Sequence, residues 1–394
     1  MTSLLEGVRV LDLSRALAGP LCTALLADFG ADVVKVEPAD GDTSRHWPPF
    51  DDHAASLYFA SINRGKRSLS LAFRTSAGRQ LLQRLVRRAN VLVENFRPGV
   101  LASMGLDADT LAELNPSLVV MSVSGYGPVG PRAQDAGLDQ VAQGMSGLMS
   151  VTGGCEPTRV GIPVSDTLTA IHAAFGVCAG LLGRQRDGAA HVVQTSLLEA
   201  TICSLTFQAQ AYLSNGTVPT GTGNQHPTIT PYGLFRTADH PINIAVGSAK
   251  AWRTFCAAIG APELADRPEF ADGAARLAHR ELLNGLLTER LLQRTSTEWI
   301  AELSAAGIPC GPVHTLDQVF TDPQVRALEL VEQVTDANGR ERAMLRGPFW
   351  VDGAPVRVPG PPPMSLGEHT DELLAECGVG AIEIAHLRAE GVVR

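Results

Sequence analysis

Apolar and polar positions alternate in blocks along the first two hundred residues. Residues 8–13 (VRVLDL) read as a buried strand. Ala18-Gly19-Pro20 leads into a helical stretch at 21–29 (LCTALLADF), which Gly30 stops, and 32–37 (DVVKVE) form a second strand. Strand, helix and strand within about thirty residues make a βαβ unit and so a parallel sheet. The pattern repeats with a strand at 68–73, an amphipathic helix at 76–89 and a strand at 90–94 (NVLVE). Helical turns near Ala102 and over 110–114 precede a strand at 118–124 (LVVMSVS), and 140–149 read as helix. A further strand at 191–198 and a helix to about Leu213 complete the series. The expected fold class is α/β, with a Rossmann-like parallel sheet in a large domain.

The pattern changes at 215–231 (NGTVPTGTGNQHPTITP), where Gly, Pro, Thr and Asn dominate. The expected layout is a large domain over 1–214, a linker over 215–231, a smaller α+β domain over 232–325, and a segment over 326–394 that returns to the large domain. Within the smaller domain, 233–246 read as a hairpin and helices fall near 250–260, 279–293 and 296–305. Beyond it come antiparallel strands (LVEQVTD, ERAMLRG), an extended stretch at 359–363 and a final helix at 368–376.

Residues 161–167 (GIPVSDT) interrupt the pattern more sharply. They put a carboxylate at the mouth of LTAIHAAFGVCAGLL, an apolar run with hardly any polar face that is expected to be buried all round. Pro163 ends what precedes it, and Ser165 or Asp166 is a natural N-cap. Free backbone N–H groups and the helix dipole are expected to favour the ionised Asp166, the form a nucleophile needs. The plainer reading makes Asp166 an ordinary cap.

Composition narrows the function without choosing it. The chain has 394 residues, 45% hydrophobic and 19% charged, with a net charge of −9, which suits a globular protein and excludes a basic nucleic-acid footprint. Seven cysteines are scattered singly with no CxxC or zinc spacing, so reduced thiols and no metal site are expected. The opening residues lack a signal-peptide pattern, and the longest apolar run, broken by His172, is read as short of a membrane span. A cytoplasmic protein without nucleic-acid or membrane partners is the simplest expectation.

Residues 125–130 (GYGPVG) match GxGxxG, but Pro128 and Pro131 argue for a loop where a dinucleotide site needs a helix, and the first βα turn carries no glycine triplet. The loop, with Tyr126, suits an active-site wall. Residues 93–99 (VENFRPG) end a strand at the ligand-binding edge of the sheet, with Arg97 a candidate anion contact or a plain surface arginine. In Gly137-Leu138-Asp139, Asp139 is either a cap or a site carboxylate. Gly-x-Ser-x-Gly, HExxH and P-loop motifs are absent.

Taken in order, GVRVLDLSRALAGP, ADFGADVVKVEP with Gly41-Asp42 and Arg45, NRGKRSLSL, VENFRPGV, SGYGPVGP, GIPVSDTLTA, SLLEA, TPYGLFRT, GIPCGPV and LGEHTDELL make the chain resemble the family III CoA-transferases, the group of formyl-CoA and L-carnitine CoA-transferases. The resemblance implies that Asp166 attacks an acyl-CoA thioester, passing through a mixed anhydride and an aspartyl-CoA thioester. It implies coenzyme A or acyl-CoA as substrate, no permanently bound cofactor, and an interlocked homodimer. By the same resemblance Ala16, Leu17, Arg74, Asn95, Phe96, Arg97 and Met104 contact CoA, with Tyr126, Gly137 and Asp139 as further substrate or CoA contacts.

Departures refine this. Leu17 stands where formyl-CoA transferases carry glutamine, which argues against oxalate, while Pro38 and Ser103 replace two CoA-contacting arginines. The related α-methylacyl-CoA racemases use Gly-His-Asp where this chain has Gly137-Leu138-Asp139, and leucine cannot shuttle a proton. A non-catalytic acyl-CoA-binding homologue is the other alternative. The wording is most like transferases that use succinyl-CoA and dicarboxylates such as glutarate, and Arg15, Arg64 or another arginine is a candidate for the distal carboxylate.

Overall fold

Val10, Leu11, Val33, Val34, Val36, Val91, Leu92 and Val93 are all buried, with side chains alternating to the two faces of one parallel sheet. A computed structural model describes residues 3–394. In the first unit, β1 (Arg9–Asp12), α1 (Ala18–Asp28), β2 (Asp32–Glu37), α2 (Leu57–Ile62), β3 (Lys66–Ser70), α3 (Ser76–Val86) and β4 (Val91–Glu94) are followed by α4 (Val100–Ser103), α5 (Ala108–Leu114), β5 (Val119–Ser124) and α6 (Asp139–Met145). After α7 (Leu148–Val151), the unit resumes with α8 (Val164–Asp187), β6 (His191–Ser196), α9 (Leu197–Cys203) and α10 (Thr206–Asn215). The sheet order is β3-β2-β1-β4-β5-β6, every pair parallel, with the direction of winding reversing between β1 and β4. The α/β reading of the sequence is met, and the crevice at that reversal is where such sheets bind ligands.

Local rules explain the pieces. Thr75 caps α3, its hydroxyl accepting the Gly78 N–H at 3.0 Å. Gly30, at φ 90°, takes the left-handed turn that ends α1. One face of the sheet packs Leu11, Val34, Leu69 and Leu92 with Leu82 and Leu85 of α3. Leu373 and Leu374 of α11 (Thr370–Glu376) and Ile384 and Leu387 of α12 (Ala381–Ala389) join that core. The other face packs Val10, Val33, Val91 and Met121 with Cys22 and Leu26 of α1 and Ala170, Ala173 and Val177 of α8. Helix α12 was not anticipated, since AIEIAHLRA follows the expected final helix after only a short Gly-Val-Gly break.

Helix α8 departs from expectation in two ways. It is not buried all round: Ile171, Phe175 and Leu182 are 52%, 75% and 68% exposed, because only one side meets the sheet and α1. Its 24 residues are also long and apolar enough, by length and composition, to cross a membrane, although the face bearing Ala170, Ala173 and Val177 is spent on the core.

The second unit comprises Met149–Arg159 and Gly216–Leu328, and the first unit resumes at Glu329. Residues 149–159 join this unit, where Gly223 N–H donates to the Gly153 carbonyl, and residues 216–231 pack as part of it, with Leu234 N–H bonded to Asn224 O at 3.1 Å. The unit carries an antiparallel sheet of β7 (Tyr232–Phe235), β8 (Ile242–Ala245) and β9 (Cys310–Pro312). Its core gathers Ile242, Trp252, Phe255, Leu283, Leu287 and Trp299. In the final segment of the first unit, β10 (Val331–Thr335) and β11 (Glu341–Leu345) pair antiparallel, as their alternation predicts.

Candidate active site

The turn after β1 is held from below by buried charge. Lys66 Nζ reaches Asp12 at 2.9 Å and the Pro20 carbonyl at 2.7 Å, and both side chains are fully buried. Lys35 Nζ lies 2.9 Å from Asp42, again fully buried, and donates to the Ser14 carbonyl at 3.0 Å. Burial pushes the Asp12 carboxyl up, yet the Lys66 and Lys35 ammonium groups and the Ser14 and Thr23 hydroxyls outweigh it and hold it down at about 2. Above this layer Ala16 takes a left-handed φ of 65°. Its N–H donates to Asp42 at 3.3 Å, while Asn95 clamps Arg15 by accepting its N–H at 2.8 Å and donating to its carbonyl at 2.7 Å. Gly19 is required here, because a Cβ would lie 2.2 Å from Ser14 Cβ.

This arrangement aims the start of α1 at Asp166. Neither α1 nor α8 has a side-chain N-cap of its own. Asp166, in the first turn of α8, accepts the backbone N–H of Ala18 at the head of α1. The capping function expected of Ser165 or Asp166 falls to Asp139, whose Oδ1 accepts the Ser165 N–H at 2.9 Å and the Asp166 N–H at 3.5 Å. Gln143 Nε2 steadies Asp139 at 2.8 Å. The electrostatic expectation is reversed. Burial first, and then the Asp139 carboxylate, push Asp166 up to about 7, and the one Ala18 N–H does not offset them.

Asp166 lines a cavity of about 280 Å³ with Arg15, Ala16, Leu17, Trp47, Tyr58, Asn95, Phe96, Arg97, Gly125 and Gly137. An adjoining groove of about 810 Å³ shares Arg15, Asn95, Phe96 and Arg97 and adds Arg74, Arg79 and Met104, with the uncharged Pro38 and Ser103 on its wall. Nine of the eleven residues singled out from the sequence thus line one of these two spaces. Tyr126 and Asp139 do not. The Tyr126 ring lies under the Arg132 guanidinium at 4.4 Å, and Asp139 is engaged in capping α8. Gly125 and Gly137 are needed by contact: a Cβ on Gly137 would fall 2.3 Å from Gly125 Cα, so two backbone segments meet directly at the cavity wall.

Several lining groups escaped the sequence reading. Trp47 and Tyr58 pack edge-on at 5.1 Å, and burial, then the negative charges of Asp166, Asp139 and Asp42, push the Tyr58 phenol up to about 12. Arg79 lies in α3, where the sequence showed only an amphipathic helix. Arg64 is removed as a ligand candidate, since its guanidinium is buried on Asp28 at 2.7 and 2.6 Å. No histidine lines either space among the described residues.

Comparison with known proteins decides the family. The model of CoA-transferase family III matches residues 5–370. The chain belongs to that family. It is a CoA-transferase, an enzyme whose substrates are an acyl-CoA and a carboxylic acid. It is 37% identical over 381 residues to the succinate–glutarate CoA-transferase of Agrobacterium fabrum, covering 94% of this chain and 95% of the relative. It is 34% identical over 382 residues to the human succinyl-CoA:glutarate CoA-transferase, covering 94% of this chain and 85% of that protein. Among solved structures, a CaiB/BaiF family protein of Brucella suis matches with a TM-score of 0.84 at 36% identity, covering 96% of this chain and all of the other. In this CoA-transferase, the Asp166 cavity lies on the segments that follow β1, β2, β4 and β5 and on the head of α8.

Proposed function

We propose that this CoA-transferase moves CoA from succinyl-CoA to a dicarboxylic acid of the glutarate class, with Asp166 as the nucleophile. The observation that carries the reading is the position of Asp166: it faces a small cavity beside a groove bearing arginines, with one backbone donor and, among the described residues, no cation paired to it. A carboxylate left without a counter-charge keeps its electron pair available for attack. The succinyl and glutarate assignments rest on the relatives' names.

The Asp166 carboxylate adds to the donor thioester carbonyl, the C–S bond breaks, and the products are a mixed anhydride and CoA thiolate. The thiolate then attacks the aspartyl carbonyl, releasing succinate and leaving an aspartyl-CoA thioester. The acceptor carboxylate attacks that thioester and regenerates thiolate and a new anhydride. A last attack by the thiolate on the acceptor's acyl carbon gives acceptor acyl-CoA and free Asp166. Main chain bared at Gly125 and Gly137 offers donors for the oxyanions, and Arg74, Arg79 and Arg97 suit the CoA phosphates. Ile171, Phe175 and Leu182, exposed along α8, favour a homodimer, interlocked as the family resemblance implies.

Incubation with succinyl-CoA and glutarate, followed by mass spectrometry of the acyl-CoA pool, tests this. Glutaryl-CoA should accumulate with the natural chain and not with Asp166→Asn. Solvent deuterium entering the α-carbon of a branched acyl-CoA without any acyl exchange would replace the transfer reading with a racemase.

A further inference from the structure

We propose that Arg15 is the receptor for the distal carboxylate of the dicarboxylic substrate, an inference that rests on the transfer reading for its substrate class. Arg15 lines both the cavity of Asp166 and the adjoining groove, at their junction. Its backbone is fixed on both sides by Asn95, and its guanidinium stands 5.7 Å from the centre of the Phe96 ring. The guanidinium has no carboxylate partner and no hydrogen bond among the described residues.

Three other arginines are committed to carboxylates. Arg45 is held by Glu37 at 2.7 Å, Arg64 by Asp28 at 2.6 Å and Arg132 by Asp135 at 2.9 Å. Arg97 lines the same two spaces but is exposed, and Arg74 and Arg79 face the groove alone. Arg15 is therefore the half-buried, unpaired cation that shares a cavity with the nucleophile. Withdrawing a guanidinium from water without a partner is costly, and a planar fork at such a place fits a carboxylate in two-point contact. The cavity volume of about 280 Å³ is at the small end for ligand sites and suits a short acyl chain. A dicarboxylate then lies with one end at Asp166 and the other at Arg15, and an acid with only one carboxylate leaves Arg15 unsatisfied.

The test uses acetyl-CoA as donor, because the distal carboxylate of succinyl-CoA would itself meet Arg15, and compares glutarate with butyrate, which has the same reactive end and no distal carboxylate, on the natural chain, Arg15→Gln and Arg15→Lys. Arg15→Gln should lower kcat/KM for glutarate by roughly 10²-fold or more and leave butyrate unchanged or improved, with Arg15→Lys in between. Calorimetric binding of free glutarate to the CoA-loaded protein should weaken in parallel. An equal loss for glutarate and butyrate, or a raised KM for acetyl-CoA with the acceptor preference intact, would overturn the proposal and make Arg15 a CoA contact. If the natural chain binds glutarate through Arg15 yet transfers no CoA, the transfer reading fails and the Arg15 assignment stands. If Arg15→Gln does not fold, the discrimination shown by Arg15→Lys decides.

Discussion

Asp12 and Asp166 are carboxylates withdrawn from water in the same unit, and the fold treats them in opposite ways. Asp12 ends β1 under two lysines and two hydroxyls and is held at about 2. Asp166 has a second carboxylate for a neighbour, one N–H donor and, among the described residues, no paired cation, and is pushed up to about 7. The first arrangement spends charge on rigidity, because each buried ion is satisfied and the turn carrying Arg15 and Ala16 is fixed to it. The second leaves a carboxylate under-stabilised, a cost to the fold that makes it basic and reactive near neutral pH.

Removing the unstabilised carboxylate gives the largest effect. Asp166→Asn should lower transfer by about 10⁴-fold or more, read as acyl-CoA exchange, while CoA still binds. Breaking the satisfied pair comes next. Lys66→Met strands a buried Asp12 charge and should cost roughly 3–5 kcal/mol, measured by denaturant unfolding. Gly137→Ala forces a Cβ against Gly125 and should cost about 1–3 kcal/mol with a loss of activity. A gain is also expected. The native Asp166 holds its proton up to about 7 and the unfolded chain releases it near 4, so its contribution to stability is full below 4 and lost as pH rises through 7. Asp166→Asn should therefore stabilise by about 2–3 kcal/mol more at pH 8 than at pH 5, read from thermal melting. The smallest change sharpens the contrast. Activity should rise with pH through about 7, and Asp139→Asn, by removing the like charge, should move that limb down by about one unit.

The sheet was legible because its strands are continuous apolar runs broken by Pro and Gly at the ends of α1, a local signal that tertiary packing has no cause to override. The place of Asp166 was legible because a carboxylate at the mouth of an apolar helix breaks the pattern. Its protonation was not, since desolvation and the approach of Asp139 depend on a contact between residues 27 positions apart. Trp47 and Tyr58 lie around the HWPPFDDHAAS stretch, whose lack of periodicity gave no reason to bring them to the cavity. Arg15 and Arg64 looked alike in the sequence, and the ion pair of Arg64 to Asp28 and the place of Arg15 on the cavity wall separate them.

The most direct test of Asp166 as the covalent centre is peptide mass spectrometry of the protein after incubation with succinyl-CoA. A CoA-sized adduct on the peptide containing Asp166, released by hydroxylamine and absent from Asp166→Asn, is the predicted result. Transfer of CoA to glutarate with no adduct at Asp166, or with full activity in Asp166→Asn, would contradict it.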